Sequence, residues 1–156
     1  MTLPKLKAET ARDAAKRADP TYLLEAQVGH LLRRAHQRAT AVFLDVMDEL
    51  ELTPTQYAAL VKIADLGEVS QNHLGRLTAM DPATSQGVIR RLEARGLITQ
   101  RPDPDDRRRT LLSLSPAGRR LVPTAVARGR AITAATLAPL EADEQATLLR
   151  LLRKLT

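Results

Sequence analysis

The chain contains no cysteine. That excludes a disulfide framework, a cysteine nucleophile and a thiol redox sensor. Aromatic residues are nearly missing as well: Tyr22, Phe43 and Tyr57 are the whole complement. The core must be built from aliphatic side chains, and a sequence rich in Leu, Ala, Arg and Glu favours helices. No apolar run approaches the roughly 20 residues of a membrane-spanning helix. The first residues lack the apolar core of a signal peptide, so a cytoplasmic protein with no membrane partner is expected. Enzyme signatures are also lacking. There is no HExxH and no glycine-rich phosphate loop, and the three histidines have no metal-ligand spacing. The Asp103, Asp105 and Asp106 cluster is followed directly by arginines that neutralise it. No metal, cofactor or catalytic residue is expected.

What is present points to a binding protein. A chain of 156 residues with 44% hydrophobic content is one domain or one subunit of a small oligomer. Its formal net charge of +6 suits a polyanionic partner. Between Gln86 and Arg120 nine arginines face four acids, so most of the surplus sits in one segment.

Helix signals recur along the chain. Residues 1–20 are charged and small, with almost no apolar face, and read as an arm. From Tyr22 to Glu51 the residues Leu24, Val28, Leu31, Ala35, Ala39, Val42, Val46 and Leu50 recur at spacings of three and four, which predicts one long helix. Its stripe is too long to be covered by one small domain. Thr53-Pro54-Thr55-Gln56 is a start signal, with a hydroxyl N-cap, proline at the first position and a glutamine that completes a capping box. Gly67 ends that helix. Ser70 caps a short helix to Leu77, and Thr78-Ala79-Met80 is the turn into the next. Asp81 and Pro82 open a helix that Gly96 stops. Ser115-Pro116 opens another, with Pro123 inside it, where a kink is expected. The last helix, 141–155, has a leucine face too apolar to stand alone.

The segment from Asp81 to Ser115 carries the chemistry. Val88, Leu92 and, one turn earlier, Ser85 lie along one side of its helix. Thr84, Gln86, Arg90, Arg91 and Arg95 occupy the other, and these groups hydrogen-bond base edges and phosphates. Two strands follow, 97–101 and 110–114, joined by the turn Pro102-Asp103-Pro104-Asp105-Asp106-Arg107-Arg108-Arg109. An arginine-rich helix face is usually just solvated, and such a turn is usually just a turn. The two in tandem, behind a second short helix, predict a winged helix-turn-helix that binds double-stranded DNA. Thr84, Ser85, Gln86 and Arg90 are the expected base readers: glutamine pairs with adenine and arginine with guanine, and Ala83 is placed for a thymine methyl. Ser70, Gln71 and Asn72 are expected at phosphates.

At these residues the chain resembles the multiple-antibiotic-resistance regulator (MarR) family. The family's wing motif stands here as Asp106-Arg107-Arg108-Arg109-Thr110-Leu111-Leu112-Ser113-Leu114-Ser115, with serine replacing the final threonine. The resemblance runs from about Tyr22 to Thr156. It implies a mostly α fold with a small β-wing, and a winged helix-turn-helix at 53–115. Dimerisation helices at 21–52 and 116–156 would intertwine in a homodimer on a palindromic operator. It also implies that Asp106 orients a minor-groove arginine, which the motif places at Arg108, with Arg107 and Arg109 as alternatives. Family members generally bind small, often anionic aromatic molecules that release DNA. A second stripe on the long helix, Leu32, His36, Ala39, Phe43 and Met47, therefore marks His36, with Arg33, Arg34, Phe43 and Tyr57, as candidate ligand residues for an aromatic carboxylate or phenolate. The other reading of His36 is an interface histidine. The TPTQYAALVKI and LTAMDPAT segments are similar to a subgroup that controls aromatic-acid breakdown, nicotinate-type compounds included. The expected function is a ligand-released repressor; the alternative is an architectural DNA-binding protein without an effector.

Overall fold

The computed structural model describes residues 22–156. The expected arm, residues 1–20, lies outside them. A one-turn 3-10 helix, Leu24–Ala26, precedes α1, Val28–Met47, and a second, Asp48–Leu50, follows it. Then come α2 (Pro54–Leu66), β1 (Glu68–Ser70), α3 (Gln71–Leu77), α4 (Pro82–Ala94), β2 (Ile98–Pro102), β3 (Thr110–Leu114), α5 (Pro116–Leu137) and α6 (Ala142–Leu152). The chain divides into two units between Gln37 and Arg38.

The single helix expected from Tyr22 to Glu51 is interrupted at both ends. Gln27 is extended, at φ −77° and ψ 130°. At the other end Glu51 adopts φ 50°, a left-handed conformation uncommon outside glycine. The apolar stripe carried no sign of either break, because periodicity reports faces and not backbone turns. The start signals fared better. Thr53, Ser70, Asp81 and Ser115 each accept a backbone N–H three residues on, and Gln56 closes the capping box on Thr53. Gly96 turns the chain out of α4 at φ 66°. The helix α5 runs through Pro123 unbroken.

The wing is a three-stranded antiparallel sheet, in the order β1-β3-β2, rather than a lone hairpin. Strand β1 is only three residues, Glu68–Ser70, with Val69 opposite Leu112. So short a strand leaves no alternation to read. It ties the start of the helix-turn-helix to the wing. Arg101 on β2 extends this tie, donating to both carboxylate oxygens of Glu68 at 2.8 and 2.6 Å.

In the second unit Leu60, Ile63, Leu74, Val88, Leu92, Ile98 and Leu112 form one aliphatic core beneath the sheet. The wing joins α5 closely. Ser115 Oγ donates to the Gly96 carbonyl at 2.6 Å and accepts from the Gly118 amide at 3.0 Å. A Cβ on Gly118 would run into the Leu97 carbonyl oxygen, which already accepts from the Ser115 amide at 3.0 Å. Gly118→Ala is therefore expected to destabilise the fold by about 1–3 kcal/mol, the usual range for overpacking against fixed backbone. Denaturant unfolding of the variant measures it, and an unchanged midpoint would mean this junction is loose.

Candidate nucleic-acid interface

Helix α4 presents one buried side and one open side. Val88, Ile89 and Leu92 are buried, whereas Ala83, Thr84, Gln86, Arg90 and Arg91 are exposed. Asp81 fixes the first turn: it accepts from the Thr84 amide at 2.9 Å and from the Thr84 hydroxyl at 2.6 Å. Those bonds hold the Asp81 carboxyl below its ordinary value. They also use the Thr84 proton, so Thr84 faces outward only as an acceptor. The guanidinium of Arg91 lies over Gly87.

Ser85 does not belong with the exposed readers. It is 2% exposed, and its Oγ has no hydrogen-bond partner among the described residues. Its Cβ and Oγ pack against Gly75 of α3, where the two helices cross. The position one turn before Val88 on the apolar side decides this. A serine on the packing face is small enough to let the helices approach, and it cannot also reach a base edge.

Ser70, Gln71 and Asn72 begin α3 and line a polar cleft that continues across His73 and Arg76 to Arg108, Arg109 and Thr110 of the wing. Arg76 is an addition to the residues expected at phosphates. Its signal was available: Arg76 lies three residues after His73 and four after Asn72, on the same exposed side of α3. Gln71, Asn72 and Arg76 also border a second groove, toward Met80 and Pro82 at the start of α4.

The wing tip is organised around Asp106. Its carboxylate accepts from the Arg108 amide at 3.1 Å and from Arg108 Nε at 3.0 Å, and Arg109 Nε lies 3.4 Å away. The Arg108 bonds, chiefly the side-chain one, hold Asp106 below the ordinary carboxylate range. A depressed pKa means the pairing is complete above the usual carboxylate titration. It is lost only as pH falls through the lowered value. The Arg108 side chain nevertheless remains 91% exposed, so Asp106 fixes its base and leaves its outer face open. Arg107 is exposed on the same turn.

The residues expected to hold an effector are less uniform. Phe43 is a core residue, 7% exposed, and meets the half-buried Tyr57 edge to face with ring centres 5.8 Å apart. It presents little surface to any ligand. Arg33, Arg34 and His36 are exposed on α1, and Arg33 is paired with His30 Nδ1 at 3.2 Å. A lone apolar stripe in sequence looks the same whether its partner surface is in the chain or outside it.

An exposed polar helix crossed on a second short helix, flanked by a β-wing whose turn bears three arginines, is a winged helix-turn-helix DNA-binding module. The family model described as MarR family matches residues 50–109. The chain is similar to the transcriptional repressor NicR of Pseudomonas putida, 37% identical over 147 residues that cover 94% of this chain and 93% of the relative. Its fold is similar to that of a probable transcriptional regulator from Pseudomonas aeruginosa. The two are 51% identical with a TM-score of 0.83, over 86% of this chain and 100% of the other. It is also similar to Bordetella bronchiseptica BpsR, whose DNA binding is regulated by 6-hydroxynicotinic acid. There the identity is 42% and the TM-score 0.82, over 86% and 96% of the two chains. The chain belongs to the MarR family of transcriptional regulators.

Proposed function

We propose that the chain is a homodimeric repressor that occupies a palindromic operator and releases it when a small aromatic acid binds. The observation that carries the DNA-binding part is the shared exposure of Gln86 and Arg90 on α4 with Arg108 and Arg109 on the wing. In this reading Gln86 and Arg90 reach base edges in the major groove. Thr84 contributes an acceptor, and Ala83 packs on a thymine methyl. Ser70, Gln71, Asn72 and Arg76 hold phosphates. Asp106 steadies Arg108 for the minor groove, and Arg107 and Arg109 add backbone contacts.

Dimerisation is supported by uncovered apolar side chains at both ends of the described chain. Leu24, Val28 and Leu31 are at least half exposed, and Leu151 and Leu155 are 45% and 70% exposed. Apolar faces of this kind mark protein contacts. A two-fold dimer gives two reading helices and therefore a palindrome. The reading includes no catalysis. No helix of the described residues is long and apolar enough to cross a membrane, and a cytoplasmic place beside the chromosome is part of the proposal.

The effector class follows the relatives: the DNA binding of BpsR is regulated by 6-hydroxynicotinic acid, and on α1 the exposed His36 offers a carboxylate a ring N–H, with the exposed Arg33 one turn before it on the same side as the cation. Adding 6-hydroxynicotinic acid to the protein–DNA complex is expected to weaken binding by about 5- to 150-fold, the usual span of coupling between two sites, and DNA should weaken acid binding by the same factor. His36→Ala should lose the response and keep DNA affinity. Equal DNA affinity with and without 6-hydroxynicotinic, nicotinic and benzoic acids would favour the architectural alternative. A His36→Ala protein that still releases DNA would put the acid elsewhere.

A further inference from the structure

The end of α1 breaks a local rule. Helix C-termini favour cations, because their last carbonyls are unpaired and carry the negative end of the helix dipole. Here the last turn of α1 has no basic residue, and the chain around it carries Asp45, Asp48, Glu49 and Glu51. Two arginines from distant elements supply what the local sequence lacks. Arg95, which ends α4, donates to the Glu51 carbonyl at 2.6 Å and to the Leu50 carbonyl at 3.0 Å. Arg128, on α5, donates to the Val46 carbonyl at 2.8 Å and to the Glu49 carboxylate. Between them Met47 and Leu52 are buried, at 1% and 3% exposure, and Glu51 turns through its left-handed conformation.

We infer that Arg95 and Arg128 are positioning residues for DNA reading. The end of α1 and the acidic turn that follows it form a fixed post, gripped at Leu50 and Glu51 by Arg95 from the reading helix and at Val46 and Glu49 by Arg128 from α5. The two-pronged guanidinium of Arg95 fixes the direction in which α4 leaves the core, because it acts at the opposite end of that helix from the base-facing turn. Small rotations about its buried side are what this bond opposes. Neither arginine touches DNA in this role, so its signature is a loss of selectivity without a loss of charge contacts. The inference rests on α4 as the reading helix.

The test uses the full chain with Arg95→Ala, Arg95→Lys, Arg128→Ala and Arg128→Lys. The probe is a duplex selected by the wild type from a randomised pool, with a scrambled duplex of equal composition beside it. Affinities are measured against potassium chloride concentration, well below each variant's melting midpoint. Both alanine variants are expected to lose tenfold or more in affinity for the selected duplex. Affinity for the scrambled duplex and the slope with salt should stay near wild type. The lysine variants should show most of the same loss, because an ammonium keeps the charge and not the fork; they also carry the test if an alanine variant does not fold. A salt slope lowered by about 0.9 in Arg95→Ala, with Arg95→Lys normal and Arg128→Ala silent, would make Arg95 a direct phosphate contact and overturn the inference. Lower melting points with selectivity intact would reduce both arginines to ordinary helix caps and overturn it as well. A wild type that selects no duplex would remove the underlying reading of α4 itself.

Discussion

Replacing Arg107, Arg108 and Arg109 together with alanine should weaken binding to every DNA sequence and flatten its salt dependence. Each arginine that displaces a counterion contributes about 0.9 to the slope of log affinity against log salt. Three such contacts amount to about 2.7. Between 50 and 200 mM salt the wild type would then lose about 40-fold more affinity than the variant. The loss should be nearly uniform across sequences, because a wing in the minor groove reads width and A·T content rather than a base code. Asp106→Asn should reproduce part of the effect, since Asp106 holds both Arg108 and Arg109 in place. Fluorescence anisotropy titrations over this salt range make the measurement. An unchanged slope would mean that the wing stands clear of DNA.

The second large effect is expected at the exposed side of α4. Arg90→Ala or Gln86→Ala should each cost about 1–3 kcal/mol at the specific site, which is roughly 5- to 150-fold in affinity. Unlike the wing variants, each should relax preference at one base pair per half-site and leave weak binding to other DNA unchanged. Selection of preferred duplexes by each variant reads this directly. Retention of wild-type preference by both would assign the reading to another element. Ser85→Ala serves as the contrast. Ser85 is buried against Gly75 with a hydroxyl that has no partner among the described residues, so alanine there should leave preference intact and cost no stability.

Much of this architecture is legible in the residues, for identifiable reasons. Caps are local: Thr53, Asp81 and Ser115 act on amides three residues away, so their patterns survive without knowledge of the fold. The wing turn is legible for the same reason, whereas the pairing of Asp106 with Arg108, which meet directly, is implied by the family motif rather than by the turn residues themselves. What the sequence conceals is nonlocal. Strand β1 exists because Val69 lies opposite Leu112, far along the chain. Arg76 gains its place by facing the wing across a cleft. The arginines on the end of α1 act over 44 to 82 positions, and nothing near Glu51 announces them. The effector residues were the least readable. Phe43 and His36 share one stripe in sequence, yet one is buried against Tyr57 and the other is exposed.

We propose that two copies of α4 read a two-fold symmetric DNA site. Hydroxyl-radical footprinting of the full-length protein on DNA containing a selected site tests it most directly. The expected result is one short protected palindrome, with half-sites centred about one helical turn apart, roughly 10–10.5 base pairs or 34–36 Å, and with added protection in the flanking minor grooves from the wings. Uniform coverage of the fragment, or a single unpaired half-site, would contradict it.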